Sequence, residues 1–235
     1  MRLAVIPARG GSKRIPRKNV RLFDGKPIMA HSVEAALASG LFDRVLVSTD
    51  DDEIAVVAER CGAEAPFRRP KALSDDFTGT NAVVRHAAQW VASQGAVVDE
   101  VCCLYATAPF VTPQDLRNAH ALLDADTDFV FAATRFEFPV QRALVKTDQG
   151  RVAPMFPQWI GMRSQDLQEA LHDAGQFYWG RPGAFEAHDV PFQARAVAYE
   201  LPTSRVQDID TPDDWLRAER LYQLWKEREC VSPSA

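Results

Sequence analysis

Four cysteines occur in the 235 residues, Cys61, Cys102, Cys103 and Cys230, and none are spaced Cys-x-x-Cys. That excludes a disulfide-stapled scaffold and a thiolate metal cluster, leaving reduced thiols in packed or surface positions. No apolar run approaches the roughly 18–20 residues that span a bilayer, and the opening stretch, residues 1–7, is too short for the core of a secretory signal. A cytoplasmic protein without a membrane partner is expected. Glycine is present at an ordinary 12 residues. The glycines form neither Gly-x-Gly-x-x-Gly nor Gly-x-x-x-x-Gly-Lys-[Ser/Thr], so the dinucleotide fingerprint and the ordinary P-loop are both missing. Positive charge is not in surplus either: Lys and Arg total 27 against 32 Asp and Glu, a net charge of −5. No global field exists to hold a polynucleotide, and a nucleic-acid partner is disfavoured.

What remains is the profile of a soluble globular chain, 46% hydrophobic and 25% charged. It is long enough for one large domain, expected over residues 1–230 with a mobile tail at 231–235. Short runs rich in Val, Leu, Phe and Tyr at 3–7, 44–49, 100–105 and 129–134 read as strands buried on both faces. Amphipathic segments at 28–38, 51–60, 80–94 and 113–123 alternate with them, and a last helix is expected from 212 to about 226. Thr112-Pro113 with Asp115, and Thr211-Pro212 with Asp214, carry the cap, proline and acid of helix starts. Alternation of this kind implies an α/β fold: a mainly parallel sheet with right-handed crossovers and helices on both faces. Between 135 and 190 the helical rhythm gives way to aromatic and proline residues, read as a small strand-rich insertion.

The acidic chain contains one basic island. Arg9, Lys13, Arg14, Arg17, Lys18 and Arg21 fall within thirteen residues that hold no acid. The island leaves the carboxyl end of the first strand, where open α/β sheets bind ligands. Gly10 and Gly11 let backbone N–H groups approach an oxyanion, Ser12 offers a hydroxyl, the cations neutralise charge, and Ala8 at the head of the loop is counted with the nucleotide-binding residues. The chemistry suits a polyphosphate; a solvated basic surface loop is the alternative. A second pole is Asp208-Ile209-Asp210, where extended alternation turns both carboxylates to one side, the arrangement for sharing one hard cation such as Mg²⁺. The bland alternative there is an acidic turn ahead of a helix.

The spelling of the island, Ile6-Pro7-Ala8-Arg9-Gly10-Gly11-Ser12-Lys13 followed by Pro16-Arg17-Lys18-Asn19, resembles the signature loop of the CMP-sialic acid synthetases, cytidylyltransferases that activate nonulosonic acids. Residues 46–50, Arg68-Arg69-Pro70 with Leu73-Ser74-Asp75-Asp76, Thr107-Ala108-Pro109 and Asp208-Ile209-Asp210-Thr211 match that family in order. The resemblance implies a Rossmann-like three-layer sandwich of the nucleotide-diphospho-sugar transferase type, with the insertion used to form a homodimer. It implies an enzyme that transfers CMP from CTP to the anomeric hydroxyl of a sugar acid, with Mg²⁺ as cofactor. By the same resemblance Arg9, Ser12, Lys13 and Lys18 meet the triphosphate, with Lys18 and Arg9 catalytic. Asn19 reaches the ribose, Asp208 and Asp210 hold the metal, Arg69 serves the cytidine end, and Thr80 adds a polar contact near the base.

The sugar end departs from ordinary sialic acid synthetases. Tyr105-Ala106-Thr107-Ala108-Pro109 stands where those enzymes carry a Gln-Pro-Thr-Ser-Pro-like strand end, and the string from His172 to Gly180 replaces Arg-x-Asn-Gly. These strings, with the segment around Gln141 and Arg142, resemble the subgroup acting on pseudaminic acid. They nominate Tyr105, Gln141, Arg142, His172, Gln176 and Phe177 for the sugar, with Phe138 and Trp179 as apolar neighbours. Insertion core or a dimer interface is the competing reading of the aromatics. A synthetase for another acid (N-acetylneuraminic, legionaminic or Kdo) and a non-catalytic nucleotide-binding regulator stay open as alternatives.

Overall fold

The computed structural model describes residues 1–231, so all but the first position of the expected mobile tail at 231–235 lies outside the described residues. In chain order its elements are β1 (Arg2–Pro7), β2 (Leu22–Phe23), β3 (Lys26–Pro27), α1 (Ile28–Ser39), β4 (Arg44–Ser48), α2 (Asp52–Arg60), α3 (Thr80–Ser93) and β5 (Glu100–Leu104). There follow α4 (Pro113–His120), β6 (Phe129–Arg135), β7 (Leu144–Lys146), β8 (Val152–Pro154), β9 (Leu171–Gly180), α5 (Pro182–Ala187), β10 (Ala196–Glu200) and α6 (Pro212–Val231). A six-stranded sheet runs in the order β10-β6-β9-β5-β1-β4, and only β9 opposes the other five strands.

Period-two alternation sorts the strands between two cores. Ala4 and Ile6 of β1 pack on the side of α1, α2 and α4, with Met29, Val33, Ala55 and Leu116. Leu3 and Val5 face α3 and α5, against Val84, Val91 and Phe185. Each large side chain buried this fully stabilises the fold by about 1.5–3 kcal/mol. The result is a three-layer α/β sandwich with a mainly parallel sheet, as the alternation implies. Thr112 and Asp115 close a reciprocal capping box on α4, and Thr211 and Asp214 exchange the same pair of bonds at the start of α6. Among the described residues no helix is long and apolar enough to cross a membrane.

A third cluster positions the site. Ile15 of the basic island and Ile209 of the Asp-x-Asp segment are both fully buried against Phe23, Ile28, Phe110, Trp215 and Tyr222. Two apolar plugs from sequence positions far apart thus anchor the cationic loop and the acidic segment to one body.

The expected insertion at 135–190 is smaller than its sequence span. Residues 171–180 are β9, a full member of the central sheet between β5 and β6. Its Phe177 and Trp179 are fully buried, because alternation turns both rings into the core beside α1, α2 and α4. Helix α5 packs on α3. What projects is 136–170, the β7–β8 hairpin with short helical turns, carrying exposed Phe138, Leu144, Val152 and Met155.

Candidate active site

A pocket of about 650 Å³ opens at the carboxyl ends of β1 and β5. Its walls include Arg9, Ser12, Lys13, Arg14, Lys18, Asn19, Arg69, Asp75, Asp76, Thr78, Thr80, Tyr105 and Asp210.

The basic loop is shaped by carboxylates. Ala8 N–H donates to Ser48 at 2.9 Å, extending the strand ladder, and Gly10 N–H donates to Asp50 Oδ1 at 2.9 Å. A Cβ on Gly10 would stand 2.7 Å from Asp51 Oδ2, so only glycine fits, whereas Gly11 faces open space. Arg17 takes the left-handed conformation, φ 56°. Asp51 at 2.6 Å and Glu53 hold its guanidinium there. Asp51 also caps α2 by accepting from Ile54 N–H at 3.0 Å. The hydrogen bond from Arg17, together with those from the backbone, holds the Asp51 carboxyl below its ordinary pKa. Asn19 donates to the Arg9 carbonyl at 2.9 Å, tying the loop's end to its start.

The cations converge. Arg9 and Lys13 both reach Asp76, at 2.7 and 2.5 Å, and their hydrogen bonds keep its pKa low. Lys18 Nζ donates to the Ile209 carbonyl at 2.7 Å and lies 3.5 Å from Asp210, which also pairs with Arg14 at 2.8 Å. Arg69 completes the set from an unexpected depth. Its backbone N–H pairs with the Thr49 carbonyl at 2.7 Å, which fixes the side chain beneath the pocket, only 4% exposed. Nε and Nη2 are buried without a hydrogen-bond partner, and Asp50 stands 4.0 Å away. Desolvation pulls the guanidinium's pKa down, Asp50 opposes it and Arg9 adds to it. A surface salt bridge is therefore excluded for this residue. A buried cation with free donors is complementary to an acceptor-rich ligand.

Asp208 and Asp210 flank the buried Ile209, and both carboxylates are turned from the core. Asp208 keeps an exposed side, yet desolvation by the protein, then the charge of Asp210, raises its pKa; Lys18 acts against both. Two like charges held together favour a shared cation. Among the described residues no group of three or more His, Cys, Asp or Glu forms a closed cage. A two-carboxylate site leaves the remaining positions to phosphate oxygens and water, which suits the octahedral, water-retaining habit of Mg²⁺.

Of the six residues nominated for the sugar, Tyr105 alone lines the pocket. Gln141 donates to the Gln168 carbonyl at 2.6 Å and Arg142 to that of Met162 at 2.7 Å, so both tie the projecting segment to itself. His172 is exposed and packs its ring 4.8 Å from Phe136. Gln176 is buried, with Nε2 donating to the Arg205 carbonyl at 2.7 Å and Oε1 unpartnered. Phe177 is sealed in the core, 6.1 Å from the Tyr199 ring, away from this pocket. Arg14, Asp75, Asp76 and Thr78 are pocket residues that carried no assignment in the sequence. The signals were there, in the basic island and in the Leu73–Asp76 string.

Known proteins resemble this chain closely. Residues 3–153 match the family model for cytidylyltransferases. Pseudaminic acid cytidylyltransferase of Campylobacter jejuni is 46% identical over 223 residues, covering 94% of this chain and 96% of that protein. CMP-N,N'-diacetyllegionaminic acid synthase of Legionella pneumophila is 30% identical, covering 96% and 97%. In fold, a solved CMP:2-keto-3-deoxy-manno-octonic acid synthetase complexed with CTP superposes with a TM-score of 0.70 at 18% identity, over 95% of this chain and 99% of that one.

Proposed function

The chain belongs to the cytidylyltransferase family, and from that premise we propose that it transfers CMP from CTP to pseudaminic acid. In the step, the anomeric hydroxyl oxygen of the sugar acid forms a bond to the α-phosphorus of CTP. The bond from that phosphorus to the bridging oxygen breaks, pyrophosphate leaves, and the hydroxyl proton passes to solvent. Little covalent help is needed, so catalysis lies in neutralising charge and aligning the partners. Arg9, Lys13 and Lys18 gather the triphosphate charge, Ser12 and the open backbone at Gly11 add donors, Asn19 meets the ribose, and Arg69 offers its free N–H groups to the nucleotide. Asp208 and Asp210 would hold Mg²⁺, whose positive charge supports the departing pyrophosphate. The enzyme works in the cytoplasm, where CTP is made, as a homodimer joined through the exposed apolar side chains of residues 136–170.

One observation carries the nucleotide half: Arg69, buried with two partnerless nitrogens, faces the same pocket as Arg9, Lys13 and Lys18. The choice of sugar rests on the 46% identity to the pseudaminic acid enzyme, against 30% for the legionaminic one. Incubation with CTP, Mg²⁺ and a panel of nonulosonic acids tests it, read by mass detection of the CMP-sugar. Pseudaminic acid is expected to give the fastest pyrophosphate release; a faster reaction with legionaminic, N-acetylneuraminic acid or Kdo overturns the choice of sugar. No release with any acid overturns the reaction.

A further inference from the structure

The segment that carries Asp208 and Asp210 is fastened downstream by the buried Ile209 side chain and by the Thr211–Asp214 bonds at the start of α6. Upstream, at Arg205, it is fastened to a different part of the fold. The Arg205 guanidinium lies across the Asp115 carboxylate as a two-pronged pair, Nη1 to Oδ2 at 2.7 Å and Nη2 to Oδ1 at 2.9 Å. The two side chains are only 16% and 5% exposed. From the other side, the Arg205 carbonyl accepts from Nε2 of Gln176, a buried residue of β9, at 2.7 Å. Asp115 is itself held. Its Oδ2 accepts from the N–H and hydroxyl of Thr112, at 2.9 and 2.6 Å, and its Oδ1 from the Tyr199 hydroxyl at 3.1 Å.

Capping α4 needs only the bonds between Asp115 and Thr112. The arginine, 90 residues later, is additional. A buried ion pair is a poor source of stability, because desolvation offsets its attraction. Its use here lies in what it holds in place. Asp208 follows Arg205 by three residues, at most about 10 Å of extended chain, so fixing Arg205 limits where Asp208 can go. That limit matters because Asp208 and Asp210 carry like charges and repel unless the backbone restrains them. We infer that Arg205, gripped by Asp115 and Gln176, is a positioning residue that keeps Asp208 beside Asp210 so that the two carboxylates can share one divalent cation. The inference rests on the Mg²⁺ role proposed above for those carboxylates.

Calorimetric titration of CTP into the protein, once in EDTA and once in Mg²⁺ and without any sugar acid, gives two affinities whose ratio is the metal's contribution to nucleotide binding. Arg205→Lys keeps a cation for Asp115 but loses the fork. It is expected to lower that ratio about tenfold, the lower end of what losing a group that supports a metal ligand costs. The affinity in EDTA stays within twofold of wild type. A merely structural role would weaken both affinities together and leave the ratio alone. Gln176→Leu removes the donor to the Arg205 carbonyl at similar volume and disturbs no ion pair. It is expected to lower the ratio about threefold, the worth of one neutral hydrogen bond, and it decides the matter if Arg205→Lys does not fold. An unchanged ratio in folded Arg205→Lys, or equal losses in EDTA and in Mg²⁺, overturns the inference and leaves the metal role standing. A lowered ratio in Arg205→Lys with an unchanged one in Gln176→Leu supports the ion pair and removes Gln176. Wild-type protein that binds CTP equally in EDTA and in Mg²⁺, and releases pyrophosphate without Mg²⁺, overturns the metal role and the inference with it.

Discussion

Replacing Arg69 by Met should make the empty protein more stable and the enzyme worse. In the unliganded fold Nε and Nη2 of Arg69 are buried without partners. Leaving a buried donor unmade costs about 1–3 kcal/mol, and the attraction of Asp50, at 4.0 Å, offsets part of the total for two. Met fills a similar slot without polar atoms. Asp50 is not stranded by the change, because it still accepts from Gly10 N–H at 2.9 Å. A net gain of about 1–3 kcal/mol follows, which for a chain of this size raises Tm by roughly 2–4 °C per kcal/mol. Binding moves the other way: a hydrogen bond to a charged group is worth about 1.5–3 kcal/mol. One lost contact with the nucleotide therefore raises KM for CTP by about 10- to 100-fold. Thermal melts with and without CTP, paired with initial rates over a CTP series, read both effects. A lower Tm for the variant together with an unchanged KM for CTP would refute the argument that Arg69 is a strained donor held for the nucleotide.

Lys18→Ala should cut turnover by about 10²–10³-fold, the usual worth of a charge-stabilising donor. Its circular dichroism spectrum should stay that of wild type, since among the described residues the partners of Lys18 Nζ are the Ile209 carbonyl and Asp210; near-normal turnover removes it from catalysis. Asp210→Asn should raise the Mg²⁺ concentration for half-maximal rate by about 10- to 100-fold, and an unaltered Mg²⁺ titration contradicts the metal assignment. His31 is buried, with Nε2 at 3.0 Å from the Phe23 carbonyl and Nδ1 at 3.2 Å from the Tyr222 hydroxyl. Desolvation lowers its pKa in the fold. The unfolded chain therefore binds a proton first as pH falls below about 6.5, and stability declines from there through the lower folded value. Urea unfolding from pH 7.5 to 5 should show that loss in wild type and a flatter profile in His31→Gln; parallel profiles refute it.

The meeting of the basic loop with the acidic segment was legible because their residues are contiguous or alternate by two. Arg9 to Asn19 forms one loop, and Asp208 and Asp210 flank a single apolar residue that needs a core. The depth of Arg69 was not legible, since an arginine in a charged string reads as surface until its backbone pairing with Thr49 is known. That five of the six residues nominated for the sugar lie away from the pocket was not legible for a related reason. Gln176, Phe177 and Trp179 lie on a strand whose facing depends on the register shift near Gly175 and on partners roughly fifty to seventy-seven residues earlier. Composition does carry an aromatic strand there; nothing in it says that the strand lies at the middle of the sheet. The place of Asp75 and Asp76 was not legible because acids opposite a basic loop look like ordinary surface charge until Arg9 and Lys13 are seen to reach them.

The place of β9 also bears on how the chain reaches its fold. β5 and β6 are separated in the sheet by a strand that arrives last but one, after the projecting segment 136–170. Until β9 enters, each presents an unpaired apolar edge, the kind of surface that recruits other chains. Residues 3–153, the stretch that matches the family model, therefore hold a three-stranded sheet, β5-β1-β4, and a β6 whose partner strands both come later. On a ribosome β5 and β6 must wait for residues 171–180 to be joined, and closure with such long sequence separation is slow. A chain truncated near residue 153 should aggregate instead of forming a smaller working domain, and the half-life of the nascent protein before closure becomes a point of vulnerability for expression.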